Sequence, residues 1–398
     1  MRGLHRAIAG LGLADLPMAW LQLKRQPVRY LVAVIGIGFA ALLMYMQIGF
    51  QSGLLTSSTT FYEALNADLI LISPGTLNSG SFEQFPQSLL YQSLGVSGVK
   101  EATPLYVANI SVQRLDGIKP TSLRLIGYDP DSQALDLPAV NDQISKIKTP
   151  GYVLFDQLGN SNTGPIAAAV KQNGSQFLSL VDLSKNFRVV GLFKLGSTFA
   201  ADSNLVSSDT TAIQLAYQQI NLGEISLGLI RLKPGIDSAQ VKQFLQKLYG
   251  SQLQVLTKPE LIAQEQNYWN TSSSFGVIFG FGTFMGLLVG GVVVYQVLYT
   301  DVSDHLKEYA TLKAMGFSNT FILIIVIQEA ILLGVSSFIP ATLASAAMYA
   351  FLTSASGIRI MMTSDKTLLV GSLTLGICAA SAAIAIRKLR DADPASVF

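Results

Sequence analysis

The sequence is short of charge: only 13% of its 398 residues are Asp, Glu, Lys or Arg, against about 25% in an ordinary soluble domain. The few charges also avoid whole stretches. None falls between Tyr30 and Phe50, between Phe275 and Tyr299, or between Thr367 and Ile386. Each stretch reaches the roughly 20 apolar residues that cross a bilayer as a helix, which excludes a purely soluble protein. Cys378 is the only cysteine, so neither an intramolecular disulfide nor a multi-cysteine metal site can form. His5 and His305 are the only histidines, too few and too far apart for a histidine zinc centre or a Ser-His-Asp triad. The net charge of +2 comes with no basic stripe and interleaved aromatics, so no nucleic-acid partner is expected. No G-x-x-x-x-G-K-[ST] occurs in the sequence, which excludes P-loop hydrolysis of ATP on this chain. The expectation is a non-catalytic protein with no catalytic residue, metal or cofactor of its own.

What is present reads as four membrane helices. The expected order is a basic, mildly amphipathic segment at 1–29, a first span at 30–54 and a large inserted domain at 55–270. A second span follows at 271–299, a short connecting helix at 300–318 and a third span at 319–352. A loop at 353–366, a fourth span at 367–386 and a basic tail at 387–398 complete it. The third span is too long for one straight crossing, since 34 residues at 1.5 Å each run about 50 Å. One helix projecting beyond the bilayer and kinked at Pro340 is preferred over two short crossings. Ten lysines and arginines flank one side: Arg2, Arg6, Lys24, Arg25, Arg29, Lys307, Lys313, Arg387, Lys388 and Arg390. The other flanks offer only Lys258, Arg359 and Lys366. Both termini are therefore expected in the cytoplasm, with the inserted domain outside. The first span is expected to be a retained anchor rather than a cleaved signal peptide. Leu16–Leu23 suits a helix lying on the inner membrane surface, the alternative being a loosely ordered tail.

Residues 55–270 carry 15 basic and 17 acidic side chains, a normal mixture for a water-exposed domain. Strands are expected at Ala67–Ser73, Tyr106–Arg114, Ser122–Tyr128, Gly151–Phe155, Phe187–Phe193 and Ile225–Leu232. Pro74, Pro150, Pro165 and Pro234 punctuate them as turns. Ser238–Tyr249 reads as a helix stopped by Gly250, with Val241, Phe244, Leu245 and Leu248 on one face. A strand after it makes the domain α+β, of one or two subdomains. Asn141–Ser179, rich in Gly, Asn, Gln and Ser, reads as an insertion or loop. Thr257-Lys258-Pro259-Glu260 has the form of a capping box. It is expected to start a helix running through Trp269 into the second span, matched by a continuation of the first span over 51–66.

Three features invite function. On a helix, Asp301–Phe317 places Val302, Leu306, Tyr309, Ala310, Leu312 and Phe317 on one side. Asp301, Ser303, Asp304, Lys307, Glu308 and Thr311 fall on the other, Lys313 interrupts the apolar side, and Gly316 is a plausible stop. The polar face either meets a cytoplasmic partner or is merely solvated. Glu329, beside Gln328, lies about ten residues into the third span, where a carboxylate is costly. It is either a packing or gating contact, or a protonated hydrogen-bonding group. Gly276, Gly280, Gly282, Gly286 and Gly290 give the second span small-xxx-small spacings, for a dimer seam or a contact within one subunit. Gly36–Ala41 matches a loose dinucleotide fingerprint but follows no strand, and is set aside.

Lys307–Phe317 followed by Gln328-Glu329-Ala330 resembles the signature of FtsX/MacB-type ABC permeases. Pro17–Leu23 and Arg387–Ala395 extend the likeness to the DevC-type permeases of cyanobacterial glycolipid exporters. The resemblance implies a homodimer in the bacterial inner membrane, bound to a cytoplasmic ABC ATPase dimer that holds ATP and Mg²⁺. It also implies a periplasmic membrane-fusion adaptor leading to an outer-membrane channel, with a lipid, and specifically glycolipid, cargo. Asp304, Lys307, Glu308, Thr311, Lys313 and Gly316 would then form the ATPase-coupling helix, and Glu329 would help transmit its motion. Lipoprotein-releasing permeases and regulators of wall hydrolases share the architecture and are the alternatives; a signalling receptor would need a larger cytoplasmic domain.

Overall fold

Four long apolar helices and one large sheet account for most of the chain in a computed structural model, which describes residues 27–117, 119–181, 185–198, 200–304, 311, 315–316, 319–356 and 360–391. The helices are Pro27–Glu63, Ser274–Asp304, Asn319–Ser356 and Ser364–Asp391. All four are long and apolar enough to cross a membrane. The third contains Pro340 without interruption. The chain divides into two units, one of residues 1–51, 277–350 and 361–398, the other of 52–276 and 351–360.

In the first unit, small and branched side chains from all four helices share one apolar core. Ala33 and Ile37 meet Val294 and Leu298, Val326, Ala330 and Leu333, and Cys378, Ala382 and Ala385. The outward faces are as apolar as the inward ones: Val28, Val277, Leu343 and Leu368 are each about two-thirds or more exposed. A helix surface of that kind is stable against lipid and not against water.

The second unit is built on strands β1 (Leu69–Ile72), β2 (Phe85–Pro86), β3 (Val99–Val112), β4 (Thr121–Tyr128), β5 (Tyr152–Asp156), β6 (Gln176–Ser179), β7 (Asn186–Phe193), β8 (Ser203–Ser208), β9 (Glu224–Ile225), β10 (Leu227–Leu232) and β11 (Gln254–Thr257). Nine form one sheet, in the order β11-β1-β10-β3-β4-β8-β5-β7-β6, and β2 pairs with β9 apart from it. The sheet is mixed: β4 runs parallel to β8 and β5 parallel to β7, while the other pairs are antiparallel. Both faces are covered. Leu69 and Leu71 of β1 point into one core with Leu90, Val241, Leu245 and Tyr249. Ile70 and Ile72 point into the other with Phe61, Tyr62 and Leu261. Two-sided burial explains why β1 reads as an unbroken apolar run rather than an alternating one. The fold is thus a membrane α-helical protein with a mixed α/β domain inserted between its first and second long helices.

The structure departs from the sequence reading in three places. Asn141–Ser179 is not an open loop: it holds β5, the helix Ile166–Asn173 and β6, with Val153, Phe155, Ile166, Val170 and Leu178 buried. Its Asn, Gln and Ser side chains are half-buried or exposed, while Asp156 and Thr163 are buried with the apolar residues. Ser203–Ser208, with only two apolar residues, is a fully buried strand; its Ser203 hydroxyl donates to the Asp156 carbonyl at 2.8 Å and its Asn204 amide to the Asp156 carboxylate at 2.9 Å. The third change lies at the head of the second long helix. Lys258–Asn267 is helical, Tyr268–Ser272 is a π turn, and Ser273 is extended before helix resumes at Ser274. The Thr271 and Ser273 hydroxyls donate back to the carbonyls of Asn267 and Trp269, each at 2.7 Å. Such bonds offer the backbone an alternative to the regular helical ladder.

The capping box at Thr257 is formed. Glu260 Oε2 accepts from the Thr257 N–H at 2.8 Å, and Lys242 Nζ donates to the same carboxylate at 2.5 Å. The Lys242 ammonium, followed by the Thr257 N–H, pulls the Glu260 carboxyl down to about 2. With an unfolded value near 4.3, the stabilisation is present above that pH and is lost as pH falls through about 2. The difference in thermal-unfolding midpoint between wild type and Glu260→Gln is expected to be full at pH 6 and to vanish towards pH 2. A difference independent of pH would contradict this.

Candidate functional site

The residues of interest sit in three places. The first is the connection between the second and third long helices. Asp301–Asp304 continue the second helix itself, so Asp304 belongs to that helix rather than to a separate one. Its carboxylate meets Arg29, near the start of the first helix, at 2.6 Å. The pair is partly exposed, which limits it to about 0–1 kcal/mol, yet it joins the first and second long helices. Thr311 is helical and exposed. Gly316 lies in a turn at φ +96, left-handed backbone that suits glycine. Lys307, Glu308 and Lys313 lie outside the described residues.

The second place is the interior of the helical unit. Glu329 is 1% exposed, on a turn whose neighbours Val326, Ala330 and Leu333 belong to the common apolar core; Gln328 beside it is half-buried. The glycines divide. A Cβ on Gly290 would lie 2.9 Å from that of Ala40, and one on Gly286 would lie 3.3 Å from Met44 Cγ. Gly282 faces Gln47 at still closer range. These three let the second helix approach the first within one chain. Among the described residues, Gly280 has nothing within 4 Å of such a Cβ. Gly276 serves the π turn, whose Trp269 and Asn270 carbonyls occupy the space a side chain would need. Beyond these, the Tyr349 hydroxyl donates to the Tyr45 carbonyl, and the Tyr45 and Thr342 hydroxyls lie 3.1 Å apart.

Sequence reasoning missed the third place, inside the inserted domain. Glu265, only 2% exposed, accepts from the Ser79 N–H at 2.8 Å and the Ser79 hydroxyl at 2.7 Å. It also accepts from Trp269 Nε1 at 2.8 Å and the Tyr62 hydroxyl at 3.3 Å. Arg124 on β4 is wholly buried. Its Nη2 donates to the Ser79 carbonyl at 2.9 Å and its guanidinium lies 5.3 Å from the centroid of the Phe61 ring. Nε and Nη1 of Arg124 have no hydrogen-bond partner among the described residues. Burial drives the Glu265 carboxyl up, against the opposing pull of the Trp269 and Ser79 bonds and the Arg124 charge. Burial likewise pulls Arg124 down. The visible signal was Arg124, a lone charge within the apolar strand Thr121–Tyr128. Among the described residues, no three His, Cys, Asp or Glu side chains group as metal ligands.

Residues 280–394 match the family of FtsX-like permease C-terminal domains. The matched segment holds most of the second long helix, the connection after it and the last two helices. No curated protein matches the chain. Among solved structures, the periplasmic region of MacB from Actinobacillus actinomycetemcomitans is similar at 12% identity and TM-score 0.32, over 51% of this chain and 94% of that one. The extracellular domain of the noncanonic ABC-type transporter YknZ from Gram-positive bacteria is similar at 15% identity and TM-score 0.31, over 48% and 100%. A permease-protein domain from Porphyromonas gingivalis is similar at 15% identity and TM-score 0.29, over 48% and 88%. Likenesses this weak carry no functional weight.

The glycine contacts divide the second helix experimentally. Gly290→Leu is expected to cost about 1–3 kcal/mol through overpacking against Ala40, while Gly280→Ala is neutral or slightly stabilising. Thermal unfolding of the purified chain in detergent reads both. Equal tolerance at the two positions would contradict the close approach of the second helix to Ala40.

Proposed function

We propose that the chain is the non-catalytic membrane subunit of an ABC-type exporter, converting ATP hydrolysis on a separate ATPase dimer into movement of its inserted domain. The observation that carries this reading is the permease-family match over 280–394, because that segment includes the connection Asp301–Phe317 with its polar face. The sequence holds no P-loop motif, and this reading accordingly assigns ATP hydrolysis to a partner. The chain works as a homodimer embedded in membrane lipid, with both termini cytoplasmic and the inserted domain in the periplasm. Ten basic residues on one flank against three on the other favour that orientation.

Asp304, Lys307, Glu308, Thr311, Lys313 and Gly316 form the surface that meets the ATPase. Closure of the ATPase dimer displaces the foot of the second helix. The Arg29–Asp304 pair shares that displacement with the first helix, and buried Glu329 shares it with the third. The first helix runs 37 residues without a break, about 55 Å, or roughly 25 Å more than the hydrocarbon core requires. It can therefore act as a rod rather than only an anchor. Cargo is handled outside the membrane and passed through a periplasmic adaptor to an outer-membrane channel. Its lipid, glycolipid-like character rests on the DevC-type likeness of Pro17–Leu23 and Arg387–Ala395.

Purification of the tagged chain from its native membrane is expected to bring down a P-loop ATPase. Glu308→Lys is expected to lower that recovery and the associated ATP hydrolysis at least about tenfold, the scale of a reversed interfacial charge. An unchanged ATPase yield and rate in Glu308→Lys, or no ATPase with the wild type, would overturn the reading.

A further inference from the structure

Inside the inserted domain, one buried carboxylate ties together elements that are distant in sequence. Glu265 sits in the last turn of the helix Lys258–Asn267, immediately before the π turn that leads to Ser274. One of its oxygens accepts from the Ser79 hydroxyl and the Trp269 indole, the other from the Ser79 N–H and the Tyr62 hydroxyl. Trp269 belongs to the π turn, Tyr62 to the outward end of the first long helix, and Ser79 to the loop between β1 and β2. That loop is ordered by its own bonds. The Glu83 N–H donates to Thr76 Oγ1 at 3.1 Å, the Gly80 N–H to Asn78 Oδ1 at 2.8 Å, and Asn109 Nδ2 to the Gly80 carbonyl at 3.2 Å. It presents Leu77 60% exposed to solvent.

Stability alone does not account for this arrangement. A carboxylate removed from water is costly even when hydrogen-bonded, and apolar packing of similar volume is often as stable or more so. The opposing charge is also incompletely satisfied. Arg124 gives Nη2 to Ser79 and Thr198 and leaves Nε and Nη1 unpartnered. Buried polar groups left unpaired in this way are a recognised reservoir of strain. Single π turns, too, concentrate at functional positions in helices. What the carboxylate supplies that an apolar residue could not is direction: it holds one serine by its N–H and hydroxyl and one indole by its N–H, in fixed geometry.

We propose that Glu265 is a positioning residue that couples the π turn Tyr268–Ser272 to the Ser79 loop, so that displacement at the head of the second long helix is delivered to residues 76–82. This rests on the proposed function, which supplies the displacement. Ser79 is the receiving point because it is gripped from both sides, by Glu265 at its N–H and hydroxyl and by Arg124 at its carbonyl. Moving Trp269 therefore moves the loop against β4 rather than moving the whole sheet.

The test is amide exchange on the complex of the full chain with its copurified ATPase in lipid nanodiscs, with and without ATP and a non-hydrolysable ATP analogue. In the wild type, nucleotide is expected to change exchange at 268–272 and at 76–82 together. In Glu265→Ala the change at 76–82 is expected to be lost while that at 268–272 and ATP hydrolysis remain. Ser79→Ala, which keeps both backbone bonds of Ser79, is expected to retain part of the response. Asp156→Asn loosens another buried carboxylate, held by the Leu195 and Gly196 N–H groups, and is expected to lower stability without uncoupling the two segments. A nucleotide response at 76–82 that survives Glu265→Ala would overturn the proposal, as would a wild-type response at 268–272 with none at 76–82. No nucleotide response at either segment would overturn the functional reading and the proposal with it.

Discussion

A lipid interior offers no partner to a peptide N–H or carbonyl, and that constraint organises the rest of this protein. It forces the uncharged stretches into helices that satisfy their own backbones. It leaves small side chains, rather than hydrophobic exclusion, to decide how those helices meet. Ala33, Ala330, Ala382 and Ala385 in the common core, with Gly282, Gly286 and Gly290 against the first helix, are that solution. Polar groups inside find partners either in their own helix, as the Ser337 and Thr374 hydroxyls do on the Leu333 and Val370 carbonyls, or on another helix. The Tyr349 hydroxyl on the Tyr45 carbonyl is one case, and the Ser381 hydroxyl, 3.2 Å from the Gly291 carbonyl, is another.

The inserted domain obeys ordinary aqueous rules, and its 32 charged side chains fit water as the helices fit lipid. Its sheet is covered on both faces, so its polar connections had to be brought indoors with partners. Asp156 does this for β8 and the turn after β7. Asp202 accepts from Asn160, Asn162, Thr121 and the Ser122 N–H, enough to hold its carboxyl below the usual range although burial opposes this. Glu265 differs from both in bridging to helices that continue into the membrane segments.

Much of this was legible from residue order. Charge-free runs marked three of the long helices and a long apolar stretch around Glu329 the other, short apolar runs bounded by turn residues marked most strands, and Ser238–Tyr249 ended at Gly250 as its pattern required. What escaped notice depended on distant partners. Ser203–Ser208 is a strand because β4 and β5 flank it, not because its own residues favour one. The break at Ser273 coincides with hydroxyls bonding back to their own turn, a pattern that unbroken helices also carry. Gly276 looked like one more packing glycine, but it makes room for two carbonyls. Glu265 and Ser79 are 186 residues apart, and no local pattern announces that pairing. Arg124 alone carried a hint, as a charge where an apolar residue was due.

The central claim is that the inserted domain and the connection after the second helix face opposite sides of one membrane. The most direct measurement is labelling of single cysteines by a membrane-impermeant maleimide in a Cys378→Ala background. Leu222→Cys tests the inserted domain, where Leu222 is 87% exposed, and Thr311→Cys tests the connection. The account predicts that Leu222→Cys reacts once the outer envelope is opened, while Thr311→Cys reacts only after the inner membrane is permeabilised. Labelling of both positions from the same side would contradict it.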